Sequence, residues 1–170
     1  MMITCIDLDM DGVLVDFLGA VTKVLPQADI SQYSLGLHPK ALNNIMHKNR
    51  LWWANLEWTV HGQALFNACI ESALPVLIMT QPADACSAAG KIDWLEKHCG
   101  PGQRYSLTTS KHHLARPGSL LIDDNQRHCE AYTQHGGSAF LWPAPYNRYA
   151  RFPTLGDVAI IKETLSCLAG

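Results

Sequence analysis

Asp7, Asp9 and Asp11 occupy alternate positions in the run Ile6-Asp7-Leu8-Asp9-Met10-Asp11-Gly12-Val13-Leu14-Val15-Asp16-Phe17. Three carboxylates so close repel one another, and a purely structural strand would not choose them. The run calls for a cation. Either Asp7/Asp9 or Asp9/Asp11 can supply a working pair. A second acidic pair, Asp123-Asp124, ends the apolar run Ser119-Leu120-Leu121-Ile122, and a hydroxyl, Thr80, ends Pro75-Val76-Leu77-Ile78-Met79. Carboxylate oxygens suit a hard cation such as Mg²⁺. A cation held in this way offsets the charge that makes a phosphate ester resist nucleophiles.

The elements that must position these groups follow from the pattern. Ile3 to Leu8, Pro75 to Thr80, Arg104 to Leu107, Ser119 to Asp124 and Ser138 to Leu141 read as short strands. Helices are expected over 13–25, 40–48, 60–73, 85–98, 126–135 and 155–168. Pro26 stops the first, Asp84 caps the fourth, and Gly136-Gly137 ends the fifth. Residues 27–39 read as polar and irregular. Short apolar strands alternating with helices predict an α/β fold: a doubly wound, Rossmann-like parallel sheet with helices on both faces. Residues 1–17 and 74–170 would form the core domain, and 18–73 a small helical cap inserted after the first strand. Ligands of such sheets bind at the C-terminal ends of strands, which is where the acids and the threonine fall.

Composition narrows the partners. The net charge of −2 over 170 residues argues against the broad basic footprint that polymeric nucleic acid needs. No apolar run reaches the roughly 20 residues of a membrane span. Cysteines at 5, 69, 86, 99, 129 and 167 form no CxxC pair, so zinc and thioredoxin-like readings are weak. Met1 leads into a strand with no basic segment before it, so no signal peptide is expected, and the thiols are read as reduced and cytoplasmic. Asp16 reads as a solvated helix residue or a local hydrogen-bond acceptor. His112 and His113 read as loop residues without a chemical role, because magnesium prefers oxygen.

Taken together, Asp9-x-Asp11-Gly12, the strand ending in Thr80, Lys111 and the strand ending in Asp123-Asp124 resemble, in order, the four motifs of the haloacid dehalogenase-like phosphatases. The family's glycine directly follows its second aspartate, so Gly12 selects Asp9/Asp11 and leaves Asp7 without a role. The resemblance implies Asp9 as nucleophile and Asp11 as the acid that protonates the leaving oxygen and then deprotonates water. It implies Mg²⁺ held by Asp9, the main-chain carbonyl of Asp11 and Asp123, with Asp124 orienting water or Lys111. Thr80 would hold phosphate oxygens, and Lys111 would neutralise developing charge.

The opening Asp9–Phe17, Leu56-Glu57, Lys91–Pro101, Leu120–Asp124 and Asn147-Arg148 further resemble the 5'(3')-deoxyribonucleotidases. That likeness runs from about residue 3 to about 148 and is poorest over 18–50. It implies a 5'-nucleotidase of small nucleoside monophosphates, with Phe17, Trp52 and Trp53 as candidates to stack on a base; Trp58 reads as packing. Gln81 stands where the family commonly has serine, and the loop Pro82-Ala83-Asp84-Ala85 lacks the family's phosphate-side lysine. The alternatives are a phosphatase of another small phosphorylated metabolite, a polynucleotide end phosphatase, and a non-catalytic binding module. The assembly, a homodimer included, is left open.

Overall fold

A computed structural model of the chain describes residues 2–26 and 40–168. The polar stretch over 27–39 lies outside the described residues. Five parallel strands form one sheet: β1 (Cys5–Asp9), β2 (Val76–Thr80), β3 (Arg104–Leu107), β4 (Ser119–Asp123) and β5 (Ser138–Leu141). Their order is β3-β2-β1-β4-β5. β1 is central, with Leu8 in register with Ile78 on one side and Ile122 on the other. Strands covered on both faces must be apolar along most of their length, hence the apolar runs in β2 and β4; in β1 Asp7 breaks the run. The winding direction reverses between β2 and β4, so the crevice of the sheet opens above the end of β1.

Among the described residues, seven α-helices accompany the sheet: α1 (Phe17–Val24), α2 (Lys40–Met46), α3 (Arg50–Ala54), α4 (Gly62–Glu71), α5 (Ala85–Cys99), α6 (Gln126–Gln134) and α7 (Leu155–Leu168). Ile6 and Leu8 of β1 join Leu65, Phe66 and Cys69 of α4 and Val158, Ile161 and Leu165 of α7 in one core. On the opposite face α6 packs on β4 and β5, and Asp7 accepts the hydroxyl of Tyr132 from α6. Tyr132 also bonds Ser119 at 2.7 Å. Asp7 thus belongs to the interior beneath α6. α4, expected as the second helix of the insertion, packs against α7.

The helix expected from Val13 begins instead at Phe17. Gly12 N donates to Val15 O, and Leu14 N and Val15 N both donate to Met10 O, each at 2.9 Å. These bonds fold residues 10–15 into a tight loop. Asp16 then caps α1 by accepting Gly19 N at 2.8 Å, the local-acceptor role. Asp84 caps α5 as expected, accepting Ser87 N at 2.8 Å in a reciprocal capping box. α3 lies against α5 at unusually short range. A Cβ on Gly90 would stand 2.3 Å from Arg50 O and 2.6 Å from Trp53 Cβ, so only glycine admits that approach. No helix among the described residues is long and apolar enough to cross a membrane.

Candidate active site

Asp9 ends β1 and Asp123 ends β4, and the two strands are neighbours, so their carboxylates meet above the sheet. Lys111, in a short 3-10 turn over Lys111–Leu114, places its ammonium between them, 2.6 Å from Asp9 Oδ1 and 2.6 Å from Asp123 Oδ2. Met10 N donates to Asp9 Oδ1 at 2.7 Å, and Asn125 N to Asp123 Oδ1 at 2.8 Å. Asp124 is held from a different side. Tyr146 donates its hydroxyl to Asp124 Oδ2, and Asn147 Nδ2 ties the Asp124 carbonyl to that of Trp142, at 2.9 and 2.8 Å.

One carboxylate oxygen from each of Asp9, Asp123 and Asp124 lies within 4.8 Å of the other two. All three residues are buried. Fully ionised, as a bound cation would require, the three buried carboxylates carry −3 and the Lys111 ammonium +1, which leaves −2. A divalent cation with a preference for oxygen donors matches both that charge and that chemistry. The side chain of Asp124 thereby joins the group expected from Asp9 and Asp123, whereas the Asp11 side chain turns elsewhere.

Electrostatics separates these acids. Burial, with the charge of Asp123, pushes Asp9 up to about 6, only partly opposed by Lys111. Burial and the charges of Asp9 and Asp123 raise Asp124 well above the usual carboxylate range. Burial alone would raise Asp123 too, but Lys111 and His128 outweigh it and hold that carboxyl below the usual range. His128 Nδ1 lies 3.1 Å from Asp123 Oδ2. Burial disfavours the charge on Lys111, yet Asp123 and Asp9 together hold its pKa above the ordinary lysine value.

Asp11 faces Thr80 and a residue that sequence reasoning gave no role, Lys91. Lys91 donates to Asp11 Oδ2 and to Thr80 Oγ1, the latter at 2.7 Å. Thr80 Oγ1 is also 3.3 Å from Asp11 Oδ2. Burial pulls the Lys91 ammonium below its ordinary value, against the charge of Asp11. The sequence carried a signal for it: Ser87, Lys91, Trp94 and Leu95 fall on one helical stripe, and all four are buried. Tyr146 and His128 were likewise unmarked; Tyr146 sits in an aperiodic loop, and His128 on an otherwise polar helix.

A cleft of about 370 Å³ opens above these groups. Asp9, Asp11, Lys111 and Asp124 line its floor. Phe17, Met46, His47 and Trp53 line one wall, and Gln81, Pro82 and Ala83, which follow β2, another. Trp52 lines a separate depression with Lys23, Asn55 and Glu57. Trp53 is only 1% exposed. Its ring stacks with Phe17 at 5.7 Å between centroids, and Lys91 Nζ lies over it at 4.3 Å. His112 and His113 pack ring to ring beside His135.

Gly12 is needed twice over. Its φ is +80°, and a Cβ there would stand 2.0 Å from Asp124 Oδ2 and 2.5 Å from the Tyr146 hydroxyl. Gly12→Ala is therefore expected to lose about 1–3 kcal/mol from the backbone alone and to displace Asp124. Thermal melts and a Mg²⁺ titration check this. A variant that melts and binds Mg²⁺ like the parent would contradict the close approach.

No protein-family model matches the chain, and no curated protein does. Solved structures do. A haloacid dehalogenase-like family hydrolase from Xanthomonas campestris superimposes with a TM-score of 0.60 at 14% identity, over 99% of this chain and 92% of that one. A HAD family hydrolase from Deinococcus radiodurans, solved with bound phosphate and sodium, reaches 0.63 at 13% identity, over 96% and 97%. A putative HAD-hydrolase from Bacillus subtilis bound to magnesium reaches 0.52 at 9%, over 82% and 86%. At such identities the likeness is one of fold: this chain has the α/β fold of the haloacid dehalogenase-like hydrolases.

Proposed function

We propose that this protein is a Mg²⁺-dependent phosphoric monoester hydrolase. The observation that carries the reading is the convergence of Asp9, Asp123 and Asp124 with Lys111 at the C-terminal edge of the sheet. The phosphate and magnesium bound by the Deinococcus and Bacillus proteins support it. Asp9, Asp123 and Asp124 would hold the ion, with the main-chain carbonyl of Asp11 as a further donor. When bound, the ion would offset the negative charge shared by carboxylates and phosphate. Lys111 and Met10 N–H fix the Asp9 carboxylate, whose oxygen attacks phosphorus and forms an aspartyl-phosphate as the ester P–O bond breaks. Asp11 gives a proton to the departing oxygen. It then takes one from the water that attacks phosphorus, and phosphate leaves with Asp9 restored. Lys111, which lines the cleft, holds phosphoryl oxygens, whereas the Thr80 hydroxyl expected beside it is engaged by Asp11 and Lys91.

The finer reading is a 5'-nucleotidase acting on deoxyribonucleoside monophosphates. A cleft of about 370 Å³ has room for a phosphate and a ring-bearing group, and Phe17 lines it. One observation favours the broader reading, a phosphatase of another small phosphorylated metabolite. Trp53 is covered by its own neighbours and Trp52 lies outside the cleft, so neither offers a base an open ring as it stands. The cytoplasmic reading rests on free thiols at Cys5, Cys69, Cys86, Cys99 and Cys129.

Phosphate release with Mg²⁺ from the five deoxynucleoside monophosphates, their ribose partners and a simple sugar phosphate separates these readings. A nucleotidase prefers a deoxynucleotide. In it, Phe17→Ala raises KM for that nucleotide about 5-fold or more, since base stacking contributes roughly 1–3 kcal/mol, and leaves the sugar phosphate unchanged. Equal hydrolysis across the panel discards the nucleotide pocket and keeps the phosphatase.

A further inference from the structure

Lys91 is fully buried in the middle of α5. Lysine is almost never found there without a partner, because its ammonium loses all its water. Its polar partners among the described residues are Asp11 and Thr80. The Trp53 ring supplies an aromatic cover at 4.3 Å, and that contact depends on Gly90, the residue before Lys91, which lets Trp53 come so close. A buried ion pair is weak evidence for stability, since apolar residues of similar volume often serve as well. What this one does supply is position.

Four carboxylates end up near one another above β1 and β4. Asp9 and Asp123 share Lys111, and Asp124 stands beside them in the same cluster. Asp11, two residues from Asp9, is turned away by a cation of its own. A carboxylate drawn into the ligand shell of a metal is poorly placed to exchange a proton. Asp11 has one oxygen, Oδ2, engaged by Lys91 and Thr80, while Oδ1 is buried with no hydrogen-bond partner among the described residues.

We propose that Lys91, covered by Trp53, is the positioning residue of Asp11. It clamps Asp11 Oδ2 and the Thr80 hydroxyl into one triangle, keeps that carboxylate out of the metal cluster, and holds it at the cleft floor to meet the leaving oxygen. The inference rests on the phosphatase reading. It also gives Trp53 a job distinct from base stacking: it shields the cation that holds Asp11, so the helical segment above the cleft helps to set the acid–base group.

The test compares Lys91→Met, Lys91→Arg, Asp11→Asn and the double variant Asp11→Asn/Lys91→Met on two esters. One is p-nitrophenyl phosphate, whose leaving group needs little protonation; the other is a simple alkyl phosphate, whose leaving group needs it fully. Lys91→Met is expected to lower kcat on the alkyl ester on the order of 100-fold, the lower range for loss of general-acid catalysis. The aryl ester should slow by less than about 10-fold. The double variant should be no slower than Asp11→Asn, because both changes remove one function. Lys91→Arg should recover part of the loss. Equal slowing on both esters, or losses that multiply in the double variant, would overturn the proposal. Should Lys91→Met melt far below the parent, Trp53→Leu, which uncovers the cation without removing it, must show the same leaving-group selectivity in smaller measure; its absence overturns the proposal as well. The parent and Asp9→Asn separate the two levels. If the parent hydrolyses neither ester with Mg²⁺, the phosphatase reading fails; if Asp9→Asn still hydrolyses both, the nucleophile assignment fails. If that variant is inactive while Lys91→Met shows no selectivity, only the role of Lys91 fails.

Discussion

Asp9→Asn is expected to lose phosphate-releasing turnover by at least about 10⁴-fold, the scale seen when a nucleophile is removed, and yet to melt a few degrees higher than the parent. Both effects come from the same burial. A nucleophile without its charge cannot form the aspartyl-phosphate, and no other carboxylate of the site among the described residues replaces it: Asp11 is tied to Lys91, Asp124 to Tyr146 and Asp123 to Lys111 and His128. On the stability side, the Asp9 carboxyl is pushed from 3.8 to about 6 by burial and by Asp123. Its charge is therefore less comfortable folded than unfolded, by about 3 kcal/mol, and asparagine removes that cost. In the metal-free protein the folded state holds the Asp9 proton more tightly than the unfolded state does. The cost is full above about pH 6, and it is relieved as pH falls through 6 toward 3.8. The advantage of the asparagine variant should accordingly be largest at pH 7.5 and fade toward pH 4. Melting curves at the two pH values measure it. A folded variant with near-parental turnover would remove Asp9 from the nucleophile role, and a variant less stable at pH 7.5 would contradict the electrostatic account.

The parts of this architecture that were legible in sequence are those that local chemistry decides. β1, β2 and β4 are covered on both faces, so Ile6, Leu8, Ile78, Leu121 and Ile122 had to be apolar and read as strands. Asp9, Thr80 and Asp123 interrupt those runs where the strands end, and a cost so plain in the sequence points to chemistry. Asp84 announces α5 because an unpaired helix N-terminus needs an acceptor. What stayed hidden is what distant partners decide. Val13, Leu14 and Val15 are apolar at near-helical spacing, yet bonds to Met10 O and the positive φ of Gly12 turn them into a loop. Trp52 and Trp53 are adjacent on α3, and neighbouring helical residues diverge by about 100°. Only tertiary packing determines that Trp53 turns inward over Lys91. Lys91 itself looked like one more charge on a helix also carrying Asp93, Glu96 and Lys97. The stripe it shares with Ser87, Trp94 and Leu95 signals burial, but its partner Asp11 lies 80 residues earlier, and the stripe does not name it.

Asp123→Asn makes the complementary case, because the same change in the same cluster should move stability the other way. Asp123 is wholly buried, but it accepts from Lys111 at 2.6 Å, from Asn125 N at 2.8 Å, and faces His128 at 3.1 Å. Lys111 and His128 overcome the effect of burial and hold its carboxyl below the usual range. Its charge is therefore better off folded than unfolded. That contribution is present above the ordinary carboxylate pKa, and it is lost only as pH falls through the lower folded value. Asparagine would leave the buried Lys111 with Asp9 alone, and removing one partner of a buried pair typically costs about 3–5 kcal/mol. For a chain of this size that is a fall in Tm of roughly 6–12 °C or more at pH 7.5, and the gap should still stand at pH 4, which lies above the ordinary carboxylate pKa. The variant should also bind Mg²⁺ at least about 10-fold more weakly, since one of three carboxylates no longer carries charge, and release phosphate correspondingly slowly. Calorimetric titration with Mg²⁺ and melting curves at pH 7.5 and 4 test both halves. If Asp123→Asn melts at or above the parent, then Lys111 is balanced by Asp9 and Asp123 is merely tolerated. If instead it destabilises while Asp9→Asn stabilises, the cluster divides its labour as the geometry implies: Asp123 anchors the lysine, and Asp9 is kept strained and available to react.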